Sequence, residues 1–195
     1  MAGPQHVPIV NLLEAMERFQ ASDLFITQDK VPAIRLHGKV QPLNHVPTTS
    51  GDIEELLKLA MTERHRAEFQ RRGDLDIGLS LTNGQRYRLN LHRQMGKVGI
   101  VARAVPSGAF AADNLMLPSA LNQFVQHHRG LILVTGATGS GKSTTLAAAV
   151  HRINQERAAH VVTIEDPIEF VHKDIKSRIT QRELGSDTVD YYEAL

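Results

Sequence analysis

The residues GATGSGKS at positions 136–143 constrain this chain more than any other feature. They fit the pattern G-x-x-x-x-G-K-[ST] without a gap. The chemistry behind the pattern is backbone chemistry. Glycines let the chain curl into a concave nest whose N–H groups meet phosphate oxygens. The helix that follows offers its positive N-terminal end to the same anion. In such a cradle Lys142 reaches the β- and γ-phosphates and the Ser143 hydroxyl holds Mg²⁺. The context agrees: the apolar run LILVT (131–135) precedes the loop, and the helix-forming run TTLAAAV follows Ser143. The expected order is strand 131–135, loop 136–142, helix 143–154 and a strand at 160–164, the opening of a parallel α/β sheet. Gly136, Thr138, Gly139, Ser140, Gly141, Lys142, Ser143 and Thr144 are the candidate ATP-binding residues.

The strand at 160–164 runs into Glu165, Asp166 and Pro167. Sheets of this kind bind ligands at the carboxyl ends of their strands, which puts both carboxylates near the cradle. A carboxylate there can hold Mg²⁺ or polarise an attacking water. Glu165 is the candidate catalytic and metal-organising group, with Ser143 as its partner on the metal. Asp166 has a second reading, as part of a strand-ending Asp-Pro turn. This strand directly follows the loop helix, so it is not read as the Walker B strand, and no later strand of the chain is expected to end in an acidic residue.

Upstream, the periodicity changes. Ile9, Leu12, Leu13, Met16 and Phe19 recur at helical spacing. Short strands are expected at 23–27 and 33–37, a capping box at Thr49 to Asp52 ahead of a helix over 53–61, and a second helix from Thr62 to near Gly73. Leu75, Ile77 and Leu79 alternate as in a strand, and Asn83 with Gly84 signals a hairpin. The next strand alternates Tyr87, Leu89 and Leu91 with Arg86, Arg88, Asn90 and His92, and a further strand spans 97–105. If these last two strands pair around Met95 and Gly96, Arg88 lies opposite Arg103. Like charges so placed repel. Two solvated arginines splaying apart would relieve this, as would a shared anion. The sharper reading makes Arg88 and Arg103 arginine fingers that stabilise γ-phosphate charge on an adjacent subunit. Residues 106–114 (PSGAFAADN) read as a linker, with a helix over 118–128 after it.

Composition narrows the alternatives. Lys plus Arg number 22 against 21 Asp plus Glu, a net charge of +1, which argues against a dedicated nucleic-acid binder. The basic run at 64–72 then reads as a solvated helix face. Without cysteine, disulfide frameworks and Cys-ligated zinc are excluded. The ten histidines lack metal-ligand spacing, and His127 and His128 are expected at a helix end. No basic-then-apolar leader opens the chain and no apolar run approaches a membrane span, so a cytoplasmic location is expected.

Taken together, GATGSGKSTTLAAAV, VVTIEDPIEFVH and ITQREL resemble the type II/type IV secretion ATPase superfamily, most closely its type IV pilus retraction (twitching motility) class. ASDLFI, YRLN, ARAVP and HHRGLILVTG extend the resemblance from about residue 22 to the end. The resemblance implies an α/β chain: a PAS-like N-terminal domain (1–105), a linker (106–114) and the beginning of a RecA-like P-loop core (115–195). It places the family's acidic box on Thr163 to Phe170 with Glu165 as its carboxylate, and the trans-acting arginines on Arg88 and Arg103. It implies an ATPase that forms a homo-hexamer, drives pilus retraction and acts on an inner-membrane platform protein, touching the membrane only through partners. Ala137 stands where the family usually carries Pro, which a backbone cradle tolerates. The Walker B carboxylate and His box would lie beyond Leu195, so a fragment of a longer motor is expected, one that on its own binds nucleotide poorly and hydrolyses none. A pilus-assembly or type II secretion ATPase is the neighbouring reading, and a non-catalytic nucleotide-binding module is the reading from another class.

Overall fold

In the computed structural model, which describes residues 3–105, 115 and 119–194, the expected register of the central hairpin is met residue for residue. β5 (Arg86–Gln94) and β6 (Lys97–Val105) pair antiparallel, with Arg88 opposite Arg103. Met95 (φ 50°) and Gly96 (φ 78°) make the connection, the positive-φ pair that a tight hairpin turn demands. β4 (Asp74–Ser80) pairs on the other side of β5, as the alternation of Leu75, Ile77 and Leu79 predicts. β1 (Asp23–Thr27), β2 (Ala33–Leu36) and β3 (Lys39–Pro42) complete an antiparallel sheet in the order β3-β2-β1-β6-β5-β4. β3 is exposed at every residue, so its pattern carries no apolar alternation and the sequence reading missed it.

One face of this sheet buries Leu24, Ile26, Tyr87, Leu89, Leu91 and Ile100. Three helices cover it. α1 (Ile9–Phe19) buries Ile9, Leu13 and Met16. Phe19, expected on the same stripe, is instead exposed. At about 100° per residue it falls roughly 80° away from Ile9, on the margin of the buried face. The Tyr87 hydroxyl donates to the carbonyl of Leu13 at 2.9 Å, fixing α1 on the sheet. Burial raises the Tyr87 pKa to about 12. α2 (Ser50–Ala60) starts at the expected capping box, Thr49 with Asp52. α3 (Glu63–Arg72) starts at a second box, Thr62 with His65, and ends at Gly73 in the left-handed region (φ 74°). Three arginines of the basic run are engaged within the chain: Arg66 with Glu54, Arg72 with Glu68, and Arg64 with the carbonyl of Val189.

The C-terminal portion holds α4 (Ala120–Phe124), α5 (Lys142–Glu156), β7 (His160–Glu165) and β8 (Arg178–Glu183). β7 and β8 pair in parallel, with Glu165 beside Glu183. This corrects the expectation that no later strand ends in an acidic residue: β8 ends in Glu183. The helix expected over 118–128 is limited to α4, so His127 and His128 lie past its end. Residues 131–135, expected as a strand, are not one. Among the described residues no strand pairs with them, and Leu131, Ile132 and Leu133 stand exposed. A parallel strand exists only through its neighbours' ladder. The linker expected at 106–114 lies outside the described residues. No helix among the described residues is long and apolar enough to cross a membrane.

Candidate nucleotide site

The loop before α5 takes the shape that its glycines permit. Gly139 (φ 78°) and Gly141 (φ 90°) occupy the left-handed region, where a side chain would strain the backbone. Gly141 is also the residue that opens α5, and no side chain caps that helix end. Its first-turn N–H groups have no intrahelical acceptors and remain for an anion. Lys142 folds over the loop, Nζ donating to the carbonyls of Gly136 (3.0 Å) and Ala137 (2.8 Å). Ala137 thus supplies, through its backbone, one of the two acceptors that tether the lysine.

A cavity of about 410 Å³ lies between α5 and the end of β7. Ser143 of the loop motif lines it, together with Thr163, Glu165, Asp166, Glu169 and His172. The structure therefore brings Ser143 and Glu165 to one cleft, as expected. The other motif residues, Gly136 to Lys142 and Thr144, are not on its wall. Glu165 is held from several sides. Its Oε1 accepts from the Thr163 hydroxyl (2.7 Å) and the Gln181 amide (3.0 Å), while Oε2 accepts the backbone N–H of Glu169 at 3.4 Å. The long Glu169 contact leaves Oε2 with acceptor capacity toward the cleft. Ser143 and Glu165 offer hydroxyl and carboxylate oxygens, the donors that suit Mg²⁺, which brings most of its remaining ligands as waters and phosphate. The residues present fit that ion. Among the described residues no group of three His, Asp or Glu side chains gathers into a metal cage of its own. Burial lowers the pKa of His172 on the cleft wall, against the raising effect of the Glu165 charge.

The two arginines are compensated by carboxylates of the same chain. Arg103 donates through Nε (2.9 Å) and Nη2 (2.7 Å) to Oδ1 of Asp23. Asp23 is 2% exposed and also pairs with Arg35. Arg88 reaches Glu169 (3.3 Å) and Asp76 (3.6 Å). Because Glu169 lines the cleft, Arg88 stands at its margin, whereas Arg103 belongs to the Asp23 cluster on β1. The repulsion that the register implies is thus relieved without an external anion.

Sequence reasoning assigned no individual role to four supporting residues. Gln181 and Thr163 orient Glu165. Glu169 links it to Arg88. Asn154, 1% exposed, ties α5 to the segment before β8: its Oδ1 accepts the N–H groups of Ile175 (3.0 Å) and Ser177 (3.2 Å), and its Nδ2 donates to Lys173 (2.7 Å). The signal for Gln181 lay in the run RITQRE, where the β-branched pair Ile179 and Thr180 favours a strand.

A glycine loop feeding a helix N-terminus, with a carboxylate-ended parallel strand across the cleft, defines a P-loop nucleotide-binding core. Residues 109–189 match the family described as type II/IV secretion system protein. The chain belongs to that secretion ATPase superfamily. It is 38% identical over 164 residues to the twitching motility protein of Neisseria gonorrhoeae, covering 84% of this chain and 44% of that one. It is 36% identical over 187 residues to the type IV pilus retractation ATPase PilT of Pseudomonas aeruginosa, covering 96% and 54%. The crystal structure titled pilus retraction motor PilT with bound ADP superposes with a TM-score of 0.84 at 36% identity, over 97% of this chain and 55% of that one. The chain spans about half the length of the curated relatives it matches.

Proposed function

We propose that this chain is the nucleotide-binding portion of an ATP-hydrolysing motor subunit that powers type IV pilus retraction. One observation carries the reading: Ser143 at the α5 N-terminus and Glu165 at the end of β7 face one cleft. In this reading residues 136–144 receive the phosphates of ATP, and Lys142 releases the loop carbonyls to meet the β- and γ-phosphates. Ser143 and Glu165 hold Mg²⁺, which neutralises phosphate charge when bound. Glu165, oriented by Thr163 and Gln181, is placed to polarise the attacking water. Arg88 and Arg103 serve a neighbouring subunit's nucleotide within a homo-hexamer, a role their partners Glu169 and Asp23 would have to yield. The domain division at 106–114, the cytoplasmic location and contact with an inner-membrane platform protein belong to the same proposal. It is supported by the names of the relatives and by the shared fold.

The test is binding of a fluorescent ATP analogue to the 195-residue chain and to its Lys142→Ala variant, with Mg²⁺. A charge-assisted contact is worth about 1.5–3 kcal/mol, so affinity should fall by about 10- to 100-fold. Equal affinity in a variant that melts like the parent would remove the assignment.

A further inference from the structure

Glu183 is 1% exposed, and its carboxylate joins three segments. Its Oε1 accepts the N–H of Gly78 on the edge strand β4 at 3.1 Å. Its Oε2 accepts the N–H of Ile168 at 3.0 Å and forms an ion pair with Arg86 of β5. Ile168 sits on the turn that follows Glu165, and the next residue, Glu169, bonds back to Glu165 and outward to Arg88. Arg86 and Arg88 alternate with the core residues of β5 and point to one side of the sheet. Two struts therefore leave the N-terminal sheet for the cleft: Arg86 to Glu183, and Arg88 to Glu169. The Glu183 strut is the buried one. An ionised carboxylate taken from water is costly unless it is paired and fully hydrogen-bonded, so its partners cannot separate one at a time without exposing a deficit.

We infer that Glu183 is a positioning residue: it locks the turn after Glu165 to the edge of the N-terminal sheet, so that nucleotide in the cleft and the order of β4 are coupled. This rests on the nucleotide-binding reading above. Gly78 fits the role. A Cβ there would meet Nη2 of Arg86 at 2.2 Å and Oε1 of Glu183 at 2.6 Å, so only glycine lets the strand edge approach the carboxylate. Motion of the Glu165–Glu169 turn then reaches the sheet through hydrogen bonds rather than through the chain between residues 105 and 119.

Hydrogen exchange of the 195-residue chain, with and without a non-hydrolysable ATP analogue and Mg²⁺, tests the coupling. If β4 opens only when the cleft is empty, analogue at 100 times its Kd slows exchange over 74–80 by up to about 100-fold. In Glu183→Gln the loop peptide over 136–145 should remain protected by analogue, while the effect on 74–80 falls to within about twofold. If that variant does not fold by circular dichroism, the double change Arg86→Met with Glu183→Leu carries the same expectation, since it removes both charges together and leaves no buried charge unpaired. Protection of 136–145 without any change at 74–80 in the parent chain would overturn the coupling alone. An undiminished effect on 74–80 in the folded variant would overturn it too. No protection at 136–145 in the parent would remove the nucleotide reading and the coupling together.

Discussion

Replacing Gly78 by alanine adds one methyl group at the most crowded point between the sheet and the cleft. The new Cβ would lie 2.2 Å from Nη2 and 2.8 Å from Cζ of Arg86, and 2.6 Å from Oε1 of Glu183. Non-bonded heavy atoms prefer about 3.5–4.0 Å, so the guanidinium must move by more than about 1 Å. Glu183 has less freedom, because the Ile168 amide holds its other oxygen. Arg86 therefore swings toward solvent, and the Gly78 hydrogen bond stretches or breaks. Loss of one partner from a buried ion pair costs about 3–5 kcal/mol when nothing replaces it. Here the Ile168 amide remains and water gains access, which reduces the cost to about 2–4 kcal/mol. Gly78 does not adopt a positive φ, so alanine is compatible with its backbone and returns about 0.4–1 kcal/mol through the unfolded chain. The net is about 1–3.5 kcal/mol. With a urea slope of about 2 kcal/mol/M, the unfolding midpoint should fall by about 0.5–1.8 M. Urea titration followed by circular dichroism measures this. A fall below about 0.3 M would refute the reasoning, since it would mean that the guanidinium has room to spare. The double variant with Glu183→Gln should cost less than the sum of the two single changes.

Three further perturbations follow from the same contacts. Asn154→Ala leaves the N–H groups of Ile175 and Ser177 and the carbonyl of Lys173 without their partner. It should cost about 2–4 kcal/mol by urea titration. Hydrogen bonds from Thr49, aided by His6, lower the Asp52 pKa from 3.8 to about 2. A folded-state pKa below the unfolded value means a contribution that is complete above pH 3.8 and lost as pH falls through about 2. The cap is worth about 1 kcal/mol, so the thermal midpoint of the parent should drop more steeply between those pH values than that of Thr49→Ala. Arg103→Ala removes a side chain that is 67% exposed, while Arg35 and Ser22 still hold Asp23. Stability should change by less than about 1 kcal/mol, and a larger loss would show that Arg103 is a structural member of the Asp23 cluster.

The contrast between the readable and the unreadable parts of this chain is physical. The loop at 136–143, the capping box at Thr49 to Asp52, the Met95 and Gly96 turn and the β5–β6 register depend on residues a few positions apart. Backbone conformation there is set by glycine, by caps and by the pleat, all of which are local. The presence of Ser143 and Glu165 on one cleft follows from the loop–helix–strand order alone. Tertiary structure decided the rest. Arg88 and Arg103 were rightly seen as opposed, but their relief by Glu169 and Asp23 joins residues 81 and 80 positions apart. Glu183 read as one more charged residue in a strand, yet its amide partner Gly78 lies 105 positions away. Residues 131–135 carried a strand's composition and lack a strand's neighbours. A ladder and a buried ion pair each need a second segment brought close in space, and sequence spacing does not encode which one arrives.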